Sequence, residues 1–444
     1  MGVYYPIYWN TAYLIVNSGA LSSDSNSDDE KQDGTDYKKL AKAIGQIRAA
    51  GIKVSLADIN RSQFGFEPDV ENNQILFGMK GMLNVGDDII EKIIEKRPYQ
   101  SPKDFLYKVS PNRQVMVSLI KGGAFDNMMD RKECMAWYLW ETCDKKKKVN
   151  LQNIAGLMKY KLIPDDTDSF IYARRIYEFN RYLKAITTSA NKLKPYYVLD
   201  ERAMNFLIEI QKEEIICQNG NMYCILKNDW DKVYQKAMDI YRAWMAANQE
   251  DILNKYNSLI FLEDWNKYAQ GTISAWEMEA LCFYYHEHEL EKVNYNQYGL
   301  SNFFNLPSTP VIDRTFKKGD KVINLYKLYK ICGTCIAKNK IKSSVTLLTR
   351  EGVVEVKVNK NLFALYDKTI SAIGEDGKKH RIEPSWFSRG SMLIIQGIRS
   401  EDMFLAKKYQ TSGGHHFLKI DKVVDDEITI RATRAQGDAE DEDG

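Results

Sequence analysis

The residues best suited to chemistry in this sequence form a short glycine-bearing turn ahead of an isoleucine-rich segment. Lys80, Gly81, Asn84 and Gly86 lie close together, and isoleucines then recur at helical spacing over residues 89–94. That spacing predicts an amphipathic helix whose first backbone N–H groups have no partner within the helix. Such N–H groups, at the positive end of the helix dipole, bind a phosphate group without reading a base.

The same turn has the pattern of a helix-hairpin-helix element, in which glycines let the main chain approach the DNA backbone closely. Asn84 stands where the first glycine is usual, and asparagine tolerates a left-handed conformation. Plain capping of the helix is the structural alternative for Gly86. Residues 75–121 carry eight Lys and Arg against five Asp and Glu, a modest basic excess that suits phosphates.

Length and composition predict a folded protein of several domains. The chain has 444 residues, of which 44% are hydrophobic, enough for two to four packed cores. Its seven cysteines lack the dense, even spacing of a secreted framework, so a reducing cytoplasm is expected. The sequence contains no apolar run long enough to span a membrane and no signal-peptide pattern, so we expect no membrane partner.

The pattern along the chain predicts a multidomain α+β protein. An acidic loop at 21–36 holds six acids against Lys31 and is predicted to be mobile. Residues 131–310 are helical in pattern, and short alternating strands follow. The predicted divisions are 1–74, a hairpin domain at 75–130, a helical region at 131–310, a strand-rich domain at 311–424 and an acidic, disordered tail at 425–444.

The strand-rich domain is predicted to be a five-stranded oligonucleotide-binding (OB) barrel with strands near 329–338, 343–349, 353–358, 391–399 and 416–423. Residues 311–424 hold 22 Lys and Arg against 11 Asp and Glu. Single-stranded nucleic acid needs cations along a groove and aromatic faces for stacking. The candidate cations are Lys338, Lys340, Lys342, Arg350, Lys357 and Arg399. The candidate stacking rings are Phe363, Tyr366, Trp386 and Phe404, and the alternative is that half of these rings fill the barrel.

Four strings, at 55–62, 75–86, 98–105 and 119–126, resemble in order the end of the fingers region and the tandem hairpin of bacterial C-family DNA polymerase III alpha subunits. Residues 275–290 resemble the string that precedes the OB domain in that family. Residues 352–358 and 389–397 resemble parts of the OB domain itself. The fourth string adds Lys121 and Gly123 as candidate DNA contacts, and the resemblance assigns residues 1–74 to the end of the fingers.

The resemblance implies the carboxy-terminal part of a nucleotidyltransferase without its catalytic centre. The family's metal-rich amino-terminal domain, palm and thumb have no counterpart here, and no Asp-x-Asp pair lies on an apolar strand. We therefore assign no catalytic residue and no cofactor, and expect Mg²⁺ only at the absent palm. His286 with His288, and Cys332 with Cys335, are poorly spaced for a metal site.

Two functions follow as hypotheses. In the first, the chain holds duplex and single-stranded DNA during replication while a separate or upstream catalytic region makes the bonds. In the second, it is a stand-alone accessory or inhibitor derived from the polymerase. A sliding clamp is a further partner expected from the family, although no convincing clamp-binding string is present. The divergent helical region suggests a phage-encoded member, acting in the cytoplasm of a bacterial cell or phage-infected host.

Overall fold

The protein is described here from a computed structural model. The structure describes residues 5–20, 35–186, 196–319, 321–374, 379–409, 415–436 and 438–440. Two compact units divide the chain: Met1–Met135 with Gly271–Gly444, and Ala136–Gln270. Most of the predicted acidic loop 21–36 lies outside the described residues. Within the described ranges, no helix has the length and apolarity needed to cross a membrane.

The larger unit begins with two helices and a small sheet: α1 (Pro6–Ser18), α2 (Tyr37–Ala49), β1 (Lys53–Val54), β2 (Glu67–Asp69) and β3 (Gln74–Leu76). The strand order is β1-β3-β2. Asp36 caps α2, because its side chain accepts a hydrogen bond from the Lys39 N–H at 3.1 Å. Leu14 of α1 and Leu40 of α2 are almost fully buried, so the apolar faces of both helices join the core.

Four helices follow: α3 (Asp87–Glu95), α4 (Pro102–Val109), α5 (Arg113–Lys121) and α6 (Arg131–Thr142). Local sequence sets the starts of α4 and α5. Ser101 caps α4, and Pro102 occupies the first helical position, where no N–H is needed. Asn112 caps α5 by accepting from the Val115 N–H at 2.9 Å. The result is a run of short helices with tight turns between them.

After residue 270 the larger unit contains one helix and then mainly strands. These elements are α13 (Ile273–Leu281), β7 (Ile312–Lys318), β8 (Lys321–Tyr326), β9 (Tyr329–Asn339), β10 (Ser344–Thr349), β11 (Gly352–Lys357), α14 (Lys360–Asp367), β12 (Thr369–Ile373), β13 (Lys379–Glu383), β14 (Met392–Ser400), β15 (Met403–Ala406), β16 (Phe417–Val424), β17 (Glu427–Arg431) and β18 (Asp438–Glu440). The helices and strands between α6 and α13 belong to the smaller unit.

Five of these strands close a barrel in the order β9-β10-β11-β15-β14, with β14 returning to pair with β9. The β11–β15 pair is parallel and the others are antiparallel. Gly397 makes the closure possible, because a Cβ there would overlap the Leu405 carbonyl on β15. The predicted fold class, a mixed α+β protein with an OB-like barrel after its helical part, is confirmed.

One predicted barrel strand is wrong. The fifth strand of the barrel is the four-residue β15, and the predicted strand at 416–423 corresponds to β16, which pairs with β14 outside the closed ring. β17 then extends the sheet from β16. The prediction failed because β15 is short and follows β14 after only two residues, whereas β16 has the stronger alternating pattern.

The predicted disordered tail at 425–444 is wrong for most of its described residues. Within it, β17 pairs with β16, and β18 pairs with β12. Arg434 forms an ion pair at 3.2 Å with Glu383, a residue only 4% exposed. Residues 437 and 441–444 lie outside the described part of the chain.

Glu383 is the anchor for this segment. Burial raises its pKa, but hydrogen bonds from the Trp386 indole, the Ala435 N–H and Arg431 outweigh burial and bring the pKa down to about 2. Arg431 lies 2.5 Å from the Glu383 carboxylate and also bonds Asp421 at 2.9 Å. Arg431 and Arg434 both belong to the acidic segment, and both bind the buried Glu383. These ion pairs explain why the segment is ordered here.

The smaller unit contains α7 (Ile154–Lys159), α8 (Asp168–Ile186), β4 (Tyr196–Val198), α9 (Glu201–Glu209), β5 (Ile216–Asn219), β6 (Met222–Leu226), α10 (Lys227–Ala237), α11 (Asp239–Ala247) and α12 (Gln249–Tyr268). Its core includes the buried Trp230, whose indole donates to Asn180 at 3.1 Å. The helical region predicted for 131–310 thus contains a sheet of order β4-β6-β5. Residues 271–310 group with the larger unit.

A buried ion pair joins the hairpin region to α13. Arg131 is 4% exposed in its side chain and Glu277 is fully buried, and they meet at 3.0 Å. Glu277 also accepts hydrogen bonds from the Tyr285 and His286 N–H groups at 2.9 and 3.0 Å. Arg131 donates to the Lys121 carbonyl at 3.1 Å and pairs with Asp126. The segments around residues 121, 131, 277 and 285 are therefore held by one connected set of polar contacts.

Glu277→Ala should destabilise the larger unit by about 3–5 kcal/mol, because it leaves the buried Arg131 with one carboxylate fewer. Urea unfolding followed by tryptophan fluorescence measures this loss. Glu91→Ala, at an exposed position of α3, is the control and should change stability by less than about 0.5 kcal/mol. Equal stabilities for both variants would show that the Arg131–Glu277 pair does not hold the segments together.

Candidate nucleic-acid interface

The first hairpin turn joins a short 3₁₀ turn, Met79–Gly81, to the start of α3. Asn84 adopts a left-handed conformation with φ of 62°. Its amide nitrogen donates to Ser118 at 3.2 Å, and its carbonyl oxygen accepts from Gln114 at 3.0 Å. Asn84 thus takes the position usual for glycine, and its side chain attaches the turn to α5.

Gly86, at the end of this turn, is open to close approach by a ligand. It is exposed, caps α3 without a side chain, and has extended backbone angles of −77° and 165°. No atom lies within 4 Å of a Cβ placed there, so packing does not require glycine. The first turn of α3 begins at this open position, and the N–H groups of a helix start are where an anion binds.

Charge at the start of α3 is mixed. Asp87 and Asp88 lie in its first turn and would repel a phosphate. Lys80 forms an ion pair with Asp87, and its ammonium lies 5.8 Å from the centre of the Phe64 ring. Direct contact between Lys80 and DNA stays a prediction that requires this ion pair to open. In the present arrangement Lys80 neutralises one of the two acids beside the open N–H groups.

A second hairpin lies at α4–α5, and sequence reasoning missed its turn. Ser110 is left-handed with φ of 50°, and Asn112 caps α5. Both residues are exposed. The signal was present as Ser110-Pro111-Asn112, since serine and asparagine favour turns and a proline cannot continue a helix. Two exposed turns therefore precede helix starts in tandem, at α3 without a side-chain cap and at α5 with Asn112 as the cap.

Three glycine and lysine predictions for the hairpins are wrong because their residues are buried. Gly81 packs below the Phe77 ring, and a Cβ would lie 2.9 Å from it. Lys121 is 4% exposed and pairs with Glu279. Gly123 has φ of +79°, and a Cβ would lie 2.6 Å from the Arg131 guanidinium. These residues specify the fold and do not face a ligand.

The four predicted stacking rings also fill the core. Phe363, Tyr366, Trp386 and Phe404 are 4%, 9%, 0% and 0% exposed, and all four belong to the barrel core. Tyr366 packs on Trp386 with ring centres 4.9 Å apart. The prediction that these rings stack on bases is wrong, and the alternative that they plug the barrel holds for all four.

The predicted cations of the barrel fall into two groups. Lys340, Lys342 and Lys357 are exposed. The first two lie in the turn between β9 and β10, and the Lys357 ammonium donates to the Lys342 carbonyl beside them. This turn is the basic feature that the sequence predicted correctly in position, while its contact with DNA stays a prediction.

The remaining three cations bind the protein itself, so their contact with DNA stays a prediction that requires these bonds to open. Lys338 pairs with Asp367 at 2.5 Å. Arg350 bonds Glu351 at 2.8 Å and lies 3.6 Å from the centre of the Tyr295 ring. Arg399 donates to the Leu306 carbonyl at 2.8 Å and to two further carbonyls in the same loop. Each guanidinium or ammonium already stabilises a loop against the barrel.

The outer face of β10 and β11 is covered. Ser344 and Thr346 point away from the barrel core, yet each is 4% exposed. The cover is α2, which packs on β9 and β11 and whose Lys38 pairs with Glu355 at 2.6 Å. OB folds commonly bind nucleic acid across this face and the first turn. Here the turn at 340–343 is the part that remains open.

The histidines have structural partners. The His288 ring bonds the Leu348 carbonyl at 2.9 Å, and burial lowers its pKa to about 4. His286 bonds the buried Glu277 at 2.6 Å. In the part of the chain that the structure describes, no three His, Cys, Asp or Glu side chains lie close enough to hold a metal ion.

Comparison with known proteins agrees with the hairpin geometry. The family model described as a helix-hairpin-helix motif matches residues 51–134. The probable DNA polymerase YorL of Bacillus subtilis strain 168 and the DNA-directed DNA polymerase of Bacillus phage SPbeta are each 35% identical over 438 residues. These matches cover 97% of this chain and 33% of each relative, so the chain spans about a third of their length.

The DNA polymerase III alpha subunit of Thermus aquaticus is 38% identical over 108 residues, which cover 23% of this chain and 9% of that protein. This chain is a carboxy-terminal, DNA polymerase III alpha-like region. The tandem hairpins and the OB-like barrel of the polymerase III alpha-like region therefore have polymerase relatives, as the four strings at 55–126 predicted for the hairpins and the strings at 352–358 and 389–397 predicted for the barrel.

Gly86→Val should weaken binding of a short duplex by about tenfold, or about 1.4 kcal/mol, because a branched side chain fills the space over the α3 N–H groups. Single-strand binding should stay within twofold. Fluorescence anisotropy with labelled duplex and single strand measures both. Gly45→Val is the matched control, since Gly45 is an equally open position in α2. Equal losses on both DNA forms would indicate a folding defect and remove Gly86 from the duplex site.

Proposed function

We propose that this region is the DNA-holding part of a replicative DNA polymerase. In this proposal the tandem hairpins hold the duplex backbone, and the OB-like barrel holds the unpaired template strand. Nucleotidyl transfer takes place at a palm on another part of the polymerase. The observation that carries the proposal is the pair of exposed helix starts at α3 and α5, each following a left-handed residue, with that of α3 uncapped by any side chain.

The hairpin arrangement supports backbone contact without base recognition. Main-chain N–H groups at helix starts bind phosphate oxygens and carry no sequence information. Asn84 is committed to Ser118 and Gln114 through its amide, so it is unsuited to reading a base edge. A replicative polymerase must hold every sequence equally well, and this site has the chemistry for that task.

The barrel supports a weaker, cation-based contact with single-stranded DNA. Its exposed turn presents Lys340 and Lys342 on either side of Ile341, which is 98% exposed. The buried aromatic rings leave charge as the main attraction at this turn, so its contribution should depend strongly on salt. Because the outer face of β10 and β11 is covered, we expect single-stranded DNA to contact the end of the barrel at this turn.

Replacing Lys340 and Lys342 together with alanine should lower the salt slope of single-strand binding by about 1.4, which corresponds to two phosphate contacts. Anisotropy titrations across a salt series measure the slope. Lys232→Ala with Lys255→Ala removes two exposed lysines from the smaller unit and is the charge-matched control. A slope equal to that of the unchanged chain would exclude the turn from the single-strand site.

The polymerase role itself can be tested by complementation. A form of the phage SPbeta polymerase that lacks the matching segment should regain primer extension when this chain is added. The SPbeta segment, added in the same way, is the positive control. If that control works while this chain binds DNA without restoring extension, or inhibits it, the chain acts as a stand-alone accessory or inhibitor.

A further inference from the structure

A two-stranded ribbon formed by β7 and β8 stands outside every larger sheet of the described chain. Phe316 pairs with Ile323, and Lys317 pairs with Val322. Every residue from 311 to 317 is exposed, with Phe316 at 46% and Val322 at 60%. An isolated ribbon is marginally stable in water. Its apolar side chains would be stabilised by a surface that covers them.

The charge of the ribbon indicates an anionic partner. Residues 312–326 contain four Lys and Arg against two Asp and Glu. The Arg314 side chain is 81% exposed and forms an ion pair with the neighbouring Asp313, also exposed, at 3.5 Å. Exposed pairs of this kind contribute little and exchange readily for another anion. Nucleic acid is therefore favoured over an apolar protein surface.

Shape favours duplex DNA over a single strand. The major groove accepts a two-stranded β-ribbon, and β7, whose residues 312–317 are all exposed, is the strand of this ribbon that can enter it. A stacking platform for a single strand needs several rings, whereas Phe316 is the one exposed ring of the ribbon, since Tyr326 of β8 is half-buried with the Lys407 ammonium 4.9 Å from its ring centre. The Asn324 oxygen already accepts from Thr315 at 2.9 Å. That oxygen is needed for bidentate contact with adenine, so backbone contact is expected instead of base reading.

We propose that the β7–β8 ribbon lies in the major groove of duplex DNA and contacts phosphates through Arg314 and Lys317. The ribbon would be a contact additional to the hairpins and the 340–343 turn. It rests on the proposed function, because it presumes that the chain binds duplex. Phe316 would make apolar contact with the groove, and the apolar side chains of the ribbon would be covered in the complex.

The test uses the full chain with Arg314→Gln and Lys317→Gln together, and Lys232→Gln with Lys255→Gln as the charge-matched control. The salt slope for duplex binding should fall by about 1.8, corresponding to two phosphates, and the slope for single-strand binding should not change. An unchanged duplex slope would overturn the proposal, and so would a loss confined to single-stranded DNA. Failure of the unchanged chain to bind duplex would overturn the proposed function itself.

A second measurement does not depend on changing charge. A photo-crosslinking residue at position 322, which is exposed, should form a covalent adduct with duplex DNA, whereas the same residue at exposed position 262 of α12 should not. Crosslinks between two protein chains, lost together with a dimer on gel filtration, would show that a second copy covers the ribbon. That outcome would also overturn the proposal.

Discussion

Arg131 and Glu277 form an ion pair that is buried away from water, and much of the larger unit depends on that contact. Two ions removed from water are tolerable only when each finds several partners. Glu277 obtains them from the backbone beyond α13, and Arg131 obtains them from Asp126 and the Lys121 carbonyl. Gly123 is glycine because the guanidinium needs its space. The end of α5 and the approach to the barrel are thus positioned together.

The barrel is closed and largely covered, and this restricts where it can meet a ligand. Gly397 allows β14 and β15 to approach, while α2 lies over the outer side of β9 and β11. The ion pair between Lys38 and Glu355 joins residues 317 positions apart in sequence. Binding chemistry is consequently displaced to the ends of β9, where the turn at 340–343 and the β7–β8 ribbon carry exposed cations.

Sequence reasoning predicted the fold class, the first hairpin and most barrel strands, because each has a strong local pattern. It failed where burial depends on partners distant in sequence. Lys121 is buried and forms an ion pair with Glu279, which lies 158 positions later in the sequence. No local sequence pattern contains that information. Phe363 and Tyr366 are three apart in a helix, which is the spacing of a buried face, and that signal was available. The short strand β15 becomes a strand only through its neighbours.

The chain leaves the larger unit within α6 and returns just before α13, and the ion pair between Arg131 and Glu277 lies beside both points. Residues 146 positions apart are therefore within hydrogen-bonding distance. The segment between these two residues is an insertion into the larger unit, and the ion pair holds its two ends together. Because the entropic cost of closing a loop grows only slowly with its length, a longer or shorter insertion changes the stability of the surrounding fold little. A change in the length of Ala136–Gln270 should therefore disturb the folding of the larger unit little.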